Sequence, residues 1–219
     1  MVRRLTKKEI KKDEFMEVAT DAGEWLENNW RQVLGWAGGL AVLALVFAGW
    51  HFYGESREAK AQALLGQGIE AFRAASDPMT GTVDDYQRAA DLFLEAADKS
   101  GSVETEKVAD LYRGISLARS GRGDEAIPLL EETAGSGAGL VVTQTAEAAL
   151  ADLYERLDRF EEAEKIYLQL AAEENGVYPP AQALLNAGLD RKAMGRDEEA
   201  KKLFEGILQD YPQTAAAAQ

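Results

Sequence analysis

Four alanines, Ala89, Ala126, Ala163 and Ala200, follow one another at intervals of 37 residues, and their surroundings repeat in phase. Four residues after each stands a bulky side chain, Phe93, Leu130, Tyr167 and Phe204; three further on come Ala96, Thr133, Leu170 and Ile207. Spacings of three and four mark one face of a helix. A fixed period between roughly 20 and 50 residues marks a solenoid, because each unit must stack on the next to bury that face. Twelve residues before three of the alanines stand Gly114, Ala151 and Gly188, small enough for paired helices to approach closely. Polar turns, SGRGDEA (120–126), LDRFEEA (157–163) and MGRDEEA (194–200), separate the two helices of each pair. In the first unit Gly66 takes the small position if the connecting segment DPMTGTVDD (77–85) carries an insertion of about 11 residues. Further loops fall at 135–139 and 176–180, and Pro212 follows the last helix. The expectation is an all-α domain over residues 55–219, built from four helical hairpins.

The order small residue, tyrosine, turn, alanine, aromatic, proline resembles the tetratricopeptide repeat, whose usual period is about 34. Leu150, Ala151, Tyr154, Ala163, Tyr167 and Leu170 fit that pattern in the third unit, and Gly188, Gly195, Ala200, Phe204 and Pro212 in the fourth. The first two units depart from it: Arg113 stands where a leucine is expected, and no repeat contains tryptophan.

Ahead of the repeats, residues 32–54 form a run of 23 without a charged side chain. About 20 apolar residues span a bilayer core. Trp30 and Trp36 flank the run on one side and Trp50, Phe52 and Tyr53 on the other, as rings that favour the headgroup level do. The run starts too late and is too long for a cleaved signal sequence, and no A-x-A site follows it. It reads as a single uncleaved transmembrane helix. Residues 1–12 hold six basic groups against one acid, Glu9, which places residues 1–31 in the cytoplasm and residues 55–219 across the membrane. In a Gram-negative cell that means the inner membrane and the periplasm. Between them, Phe15, Val18, Ala19, Ala22, Trp25, Leu26, Trp30 and Val33 are spaced as an amphipathic helix; the favoured reading lays it on the membrane surface before a turn into the span, and the alternative has it simply extend the transmembrane helix. Two sets of small residues within the span, Ala37, Ala41, Ala44 and Ala48, and the pair Gly35 and Gly39, are candidate contacts with another membrane helix.

The net charge of -14 lies wholly after Tyr53, where 31 acidic residues face 17 basic ones. Such a domain repels phosphate backbones, so nucleic acid is not an expected partner. Cysteine is absent and His51 is the only histidine, which leaves no thiolate site and no histidine cluster for a metal. Neither a nucleophile elbow nor a phosphate-binding loop occurs. Pairs such as Glu161–Glu162 and Glu198–Glu199 fall at helix starts, where carboxylates suit the dipole. No enzyme and no cofactor are expected.

A basic start, one anchor with its N-terminus inside and an acidic four-unit repeat domain together resemble the ancillary subunit family of the bacterial SecYEG translocon. That resemblance implies a periplasmic repeat domain beside the protein-conducting channel, working with periplasmic chaperones. The alternative is an accessory structural subunit of another membrane complex, respiratory, photosynthetic or of the envelope. Either way the expected partners are an integral membrane complex through the span, lipid, and a soluble protein or peptide through the repeats. The first helix of each hairpin should line the concave side, which offers Leu111, Ile115 and Arg119, then Asp152 and Arg156, then Leu185, Leu189 and Lys192. The competing reading of the leucines and isoleucine is packing between repeats.

Overall fold

The computed structural model describes the backbone of residues 7–218 and the side chains of residues 25–218 other than Val33 and Ala37. All regular structure among these residues is helical: α1 (Lys7–Ala75), α2 (Val83–Lys99), α3 (Val103–Arg119), α4 (Gly123–Gly135), α5 (Leu140–Arg156), α6 (Phe160–Ala172), α7 (Pro180–Ala193), α8 (Asp197–Asp210) and a short 3-10 turn, η1 (Ala216–Ala218). The chain divides between Gly54 and Glu55 into two compact units.

The described part of the first unit is α1. It runs unbroken through residues 13–31, so the turn expected between the amphipathic stretch and the uncharged run is absent. No proline falls between Lys7 and Ala75 to remove a backbone bond, and the helix simply continues. Phe15, Val18, Ala19, Ala22, Val33 and Ala37 lie outside the described side chains. Leu34, Leu40, Val42, Leu43, Leu45, Val46, Phe47 and Trp50 are each at least 59% exposed; at 100° per residue they cover about two thirds of the helix circumference, and exposed Ala41 and Ala44 fill the rest. This is one helix long and apolar enough to cross a membrane, by length and composition.

In the second unit the remainder of α1 packs on α2, and α3/α4, α5/α6 and α7/α8 complete four hairpins. Local signals set the ends. Thr82 caps α2 in a reciprocal box with Asp85, Ser102 caps α3, and Pro180 opens α7, where its missing N–H costs nothing. The turns that join the helices of the last three hairpins share one geometry. Gly121, Asp158 and Gly195, spaced by 37 residues, all adopt positive φ, at 84°, 57° and 74°. The next residue, Arg122, Arg159 or Arg196, donates its N–H to a carbonyl five residues back, Leu117, Tyr154 or Arg191, at 2.8–2.9 Å. This left-handed closure satisfies carbonyls at the end of one helix and starts the next.

Burial follows the predicted register. Ala89, Ala126, Ala163 and Ala200 are buried, as are Phe93, Leu130 and Tyr167, and Ala96, Thr133, Leu170 and Ile207. Only Phe204, in the last repeat, is partly exposed. The close approach of paired helices is real at Gly114, where a Cβ would come 2.7 Å from Leu130, and at Gly188, where it would strike Phe204. In the first hairpin that position is Gly68 and not Gly66: a Cβ on Gly68 would lie 2.6 Å from Phe93, whereas one on Gly66 would meet nothing within 4 Å. Gly68 precedes Phe93 by 25 residues where Gly114 precedes Leu130 by 16, so the insertion is nine residues, not 11. It folds into an ordered turn in which Asp77 Oδ1 accepts from the N–H groups of Met79 and Thr80 at 2.8 and 3.1 Å.

Candidate functional site

The first helices of successive hairpins, α3, α5 and α7, expose equivalent positions because the repeat is strict. Ile115, Asp152 and Leu189 are one such set, at intervals of 37; Ala118, Glu155 and Lys192 are another. A groove of about 480 Å³ opens along this face. Ile115 and Arg119 contribute from α3, Asp152 and Glu155 from α5, Tyr167 from α6, Tyr178 from the α6–α7 loop and Asn186 from α7.

The eight residues expected on the concave face do not form one surface. Ile115, Arg119 and Asp152 meet in the groove. Asp152 Oδ2 accepts from Arg156 Nε at 3.0 Å and lies 3.7 Å from Arg119 Nη2, so these charges largely answer one another. All three side chains are two-fifths or more exposed, and such pairs contribute about 0–1 kcal/mol each. Arg156 lies with Leu157 and Leu153 in a neighbouring hollow. Leu189 and Lys192 line a separate hollow of about 430 Å³ between α7, α8 and η1, with Phe204, Ile207 and Leu208. Leu111 and Leu185 are buried core residues, 5% and 6% exposed. Leu111 packs in the main core and Leu185 against Ile207 and Ala216, where it lines the hollow together with Leu189 and Lys192; of their shared repeat position only the middle member, Ala148, lines the groove.

Sequence reasoning missed Glu155, Tyr178 and Asn186. Glu155 stands three residues after Asp152 on the same helix face, a signal that was there to be used. Tyr178 comes from a loop with no period, and buried Gln144 places it: its Oε1 accepts from the N–H groups of Val177 and Tyr178 at 2.7 and 3.0 Å. The Tyr178 ring then lies 6.4 Å from that of Tyr167, and its hydroxyl accepts from Asn186 Nδ2 at 3.2 Å. Burial raises the pKa of both tyrosines, so they meet a ligand as neutral rings and hydroxyls. Glu155 is shifted upward by burial first and then by the charge of Asp152.

In α1, Ala41 and Ala44 are exposed and Ala48 half-buried, and a Cβ at Gly35 or Gly39 would meet nothing. At 100° per residue the glycine pair lies on the side opposite the alanines. No group of three or more His, Cys, Asp or Glu among the described residues could hold a metal ion.

Comparison with known families agrees with the geometry. Two tetratricopeptide-repeat models match, one over residues 148–176 and one over residues 182–214. These are the third and fourth hairpins, α5/α6 and α7/α8. The chain therefore carries tetratricopeptide-like repeats, a scaffold suited to binding protein partners and generally non-catalytic. No curated protein matches the chain.

Proposed function

We propose that this chain is a single-pass membrane protein whose C-terminal repeats bind a second protein. The observation that carries the membrane part is the exposure, on every side of α1, of the apolar residues between Leu34 and Trp50. A helix apolar all round is stable in a protein core or in lipid, and these side chains are not in a core. Residues 32–54 form the span in this reading, with residues 1–31 in the cytoplasm and residues 55–219 in the periplasm of a Gram-negative cell. Gly35 and Gly39 on one side and Ala37, Ala41, Ala44 and Ala48 on the other offer close contact to a neighbouring membrane helix. The groove around Ile115, Asp152 and Tyr178 takes the soluble partner, with apolar contact, two rings and a few polar groups to orient it.

The finer reading is an ancillary subunit of the protein-export translocon that presents its repeats to chaperones or emerging chains. It is supported by the combination of a basic start, one anchor and an acidic repeat domain. Two measurements test these statements. The protein should stay in the membrane pellet after alkaline extraction, and protease added to intact spheroplasts should remove residues beyond Gly54; release into the supernatant, or protection until the membrane is opened, sinks the topology. Mass spectrometry of the complex extracted in mild detergent should return channel subunits. Recovery of a respiratory, photosynthetic or envelope assembly in their place would establish the accessory-subunit alternative.

A further inference from the structure

Ser116, Leu153 and Asp190 occupy one position of the repeat, 37 residues apart, and all three are buried. Ser116 satisfies its hydroxyl locally, donating to the Tyr112 carbonyl at 2.7 Å, and Leu153 has nothing to satisfy. Asp190 breaks the pattern. It is 2% exposed, and its Oδ2 has no hydrogen-bond partner. A buried carboxyl at a position that elsewhere takes leucine is a departure that packing does not require.

Its neighbours do not neutralise it. On α5, Glu155 stands close enough for its charge to act on Asp190, and Glu164 of α6 adds a second negative charge. The two nearby guanidinium groups are engaged elsewhere. Arg191, on α7 itself, holds Glu164 at 2.6 Å and lies 4.0 Å from Glu199 of α8; Arg196, at the start of α8, reaches Glu164 at 3.5 Å and Glu161 at 3.3 Å. Around Glu155, Asp152 adds repulsion, while Tyr167 and Arg156 oppose it. Tyr178 of the α6–α7 loop stands close enough to feel the Glu155 charge. Two carboxyl groups that share one buried site resist ionising together, so one of them tends to keep its proton.

We propose that the Glu155–Asp190 carboxyl pair is a proton-operated latch between the third and fourth hairpins, closed while the pair holds a proton and loosened when that proton leaves. Burial, followed by the charge of Glu155, pushes the Asp190 pKa from 3.8 up to about 7. A group raised on docking favours the docked state below its free pKa, and that advantage is lost as pH rises through the docked value. The window therefore runs from about pH 4 to about pH 7. Glu155 and Asn186 line the groove from α5 and α7, so release of α7 would reshape it. That consequence rests on the binding role proposed for the groove; the latch itself does not.

The test is hydrogen exchange on the full chain in detergent micelles at pH 5 and pH 8, corrected for intrinsic chemical rates. Amides of α7 and α8 should lose protection relative to those of α3 and α4 by about tenfold per pH unit between pH 5 and 7, levelling off above. Asp190→Asn, which removes the titrating group, should abolish that response, and Glu155→Gln should weaken it by removing the opposing charge while the burial remains. An unchanged pH response in either variant overturns the latch. So does a wild-type profile that is flat, or that weakens all four hairpins equally, and these two outcomes need no variant to fold. Because the readout involves no partner, failure of the latch and failure of the binding role are distinguishable.

Discussion

Gly68 lies so close beneath Phe93 that a Cβ on the glycine would sit 2.6 Å from the ring. Phe93 is fully buried and stacks on Tyr112 with ring centroids 5.4 Å apart, so the ring has nowhere to retreat. Gly68→Ala should therefore destabilise the repeat domain by about 1–3 kcal/mol through overpacking. Gly66→Ala, one half-turn away and facing open space, should be neutral or stabilising by up to about 1 kcal/mol from helix propensity. Thermal unfolding of the two variants side by side checks the register of the first hairpin. Equal midpoints would mean that the pairing of α1 with α2 is wrong.

The three left-handed turn positions make a second comparison. Asp158 adopts φ 57°, where Gly121 and Gly195 do the same without a side chain. Asp158→Gly should raise stability by a few tenths to about 1 kcal/mol, and Gly195→Ala should lower it by about 1–2 kcal/mol. Chemical denaturation midpoints at constant slope give both values.

Glu58 joins the C-terminal part of α1 to the start of α3. Its carboxylate accepts from Thr105 Oγ1 at 2.6 Å, from Gly101 N–H at 2.9 Å and from Ser100 Oγ at 3.2 Å. These bonds, that from Thr105 foremost, hold its pKa below the usual carboxylate range. Its contribution is thus present above about pH 4.5 and lost as pH falls through the depressed value. Glu58→Ala should speed hydrogen exchange at residues 100–105 at pH 7, and the difference from wild type should shrink as pH falls below the ordinary carboxylate value of 4.5. A pH-independent difference would show that side-chain packing, and not the charge, holds this corner.

For the groove, Ile115→Glu and Tyr178→Ala should each reduce capture of a soluble partner by the detergent-solubilised chain, with circular dichroism unchanged. Interface energy concentrates in such central residues, at a cost of about 2 kcal/mol or more when truncated. Leu189→Asp, in the separate hollow beside α8, should leave that capture intact. Loss of the partner only with Leu189→Asp would move the site to the C-terminal hollow.

Much of this architecture is legible in the sequence, because a repeat states the same packing problem four times. The interval of 37 between Ala89, Ala126, Ala163 and Ala200 defines which face of each helix is buried, and the run without charge between residues 32 and 54 needs no tertiary context to be recognised as apolar. The first hairpin was misjudged at Gly66, since an insertion of unknown length breaks the interval and only the contact with Phe93 identifies Gly68. The concave face was legible as helix positions but not as a surface. Leu111 lies on the same helix as Ile115 yet is buried in the main core, Leu185 is buried against Ile207 and Ala216 at the C-terminal end, and Tyr178 joins the groove through a loop anchored by Gln144. Asp190 is the clearest case. Its place in the chain reads as one more polar residue before a turn, and only the stacking of α7 against its neighbours buries it beside Glu155. Periodicity encodes direction within a helix, which is local; which charges become neighbours depends on how helices far apart in sequence pack, and that is decided in three dimensions.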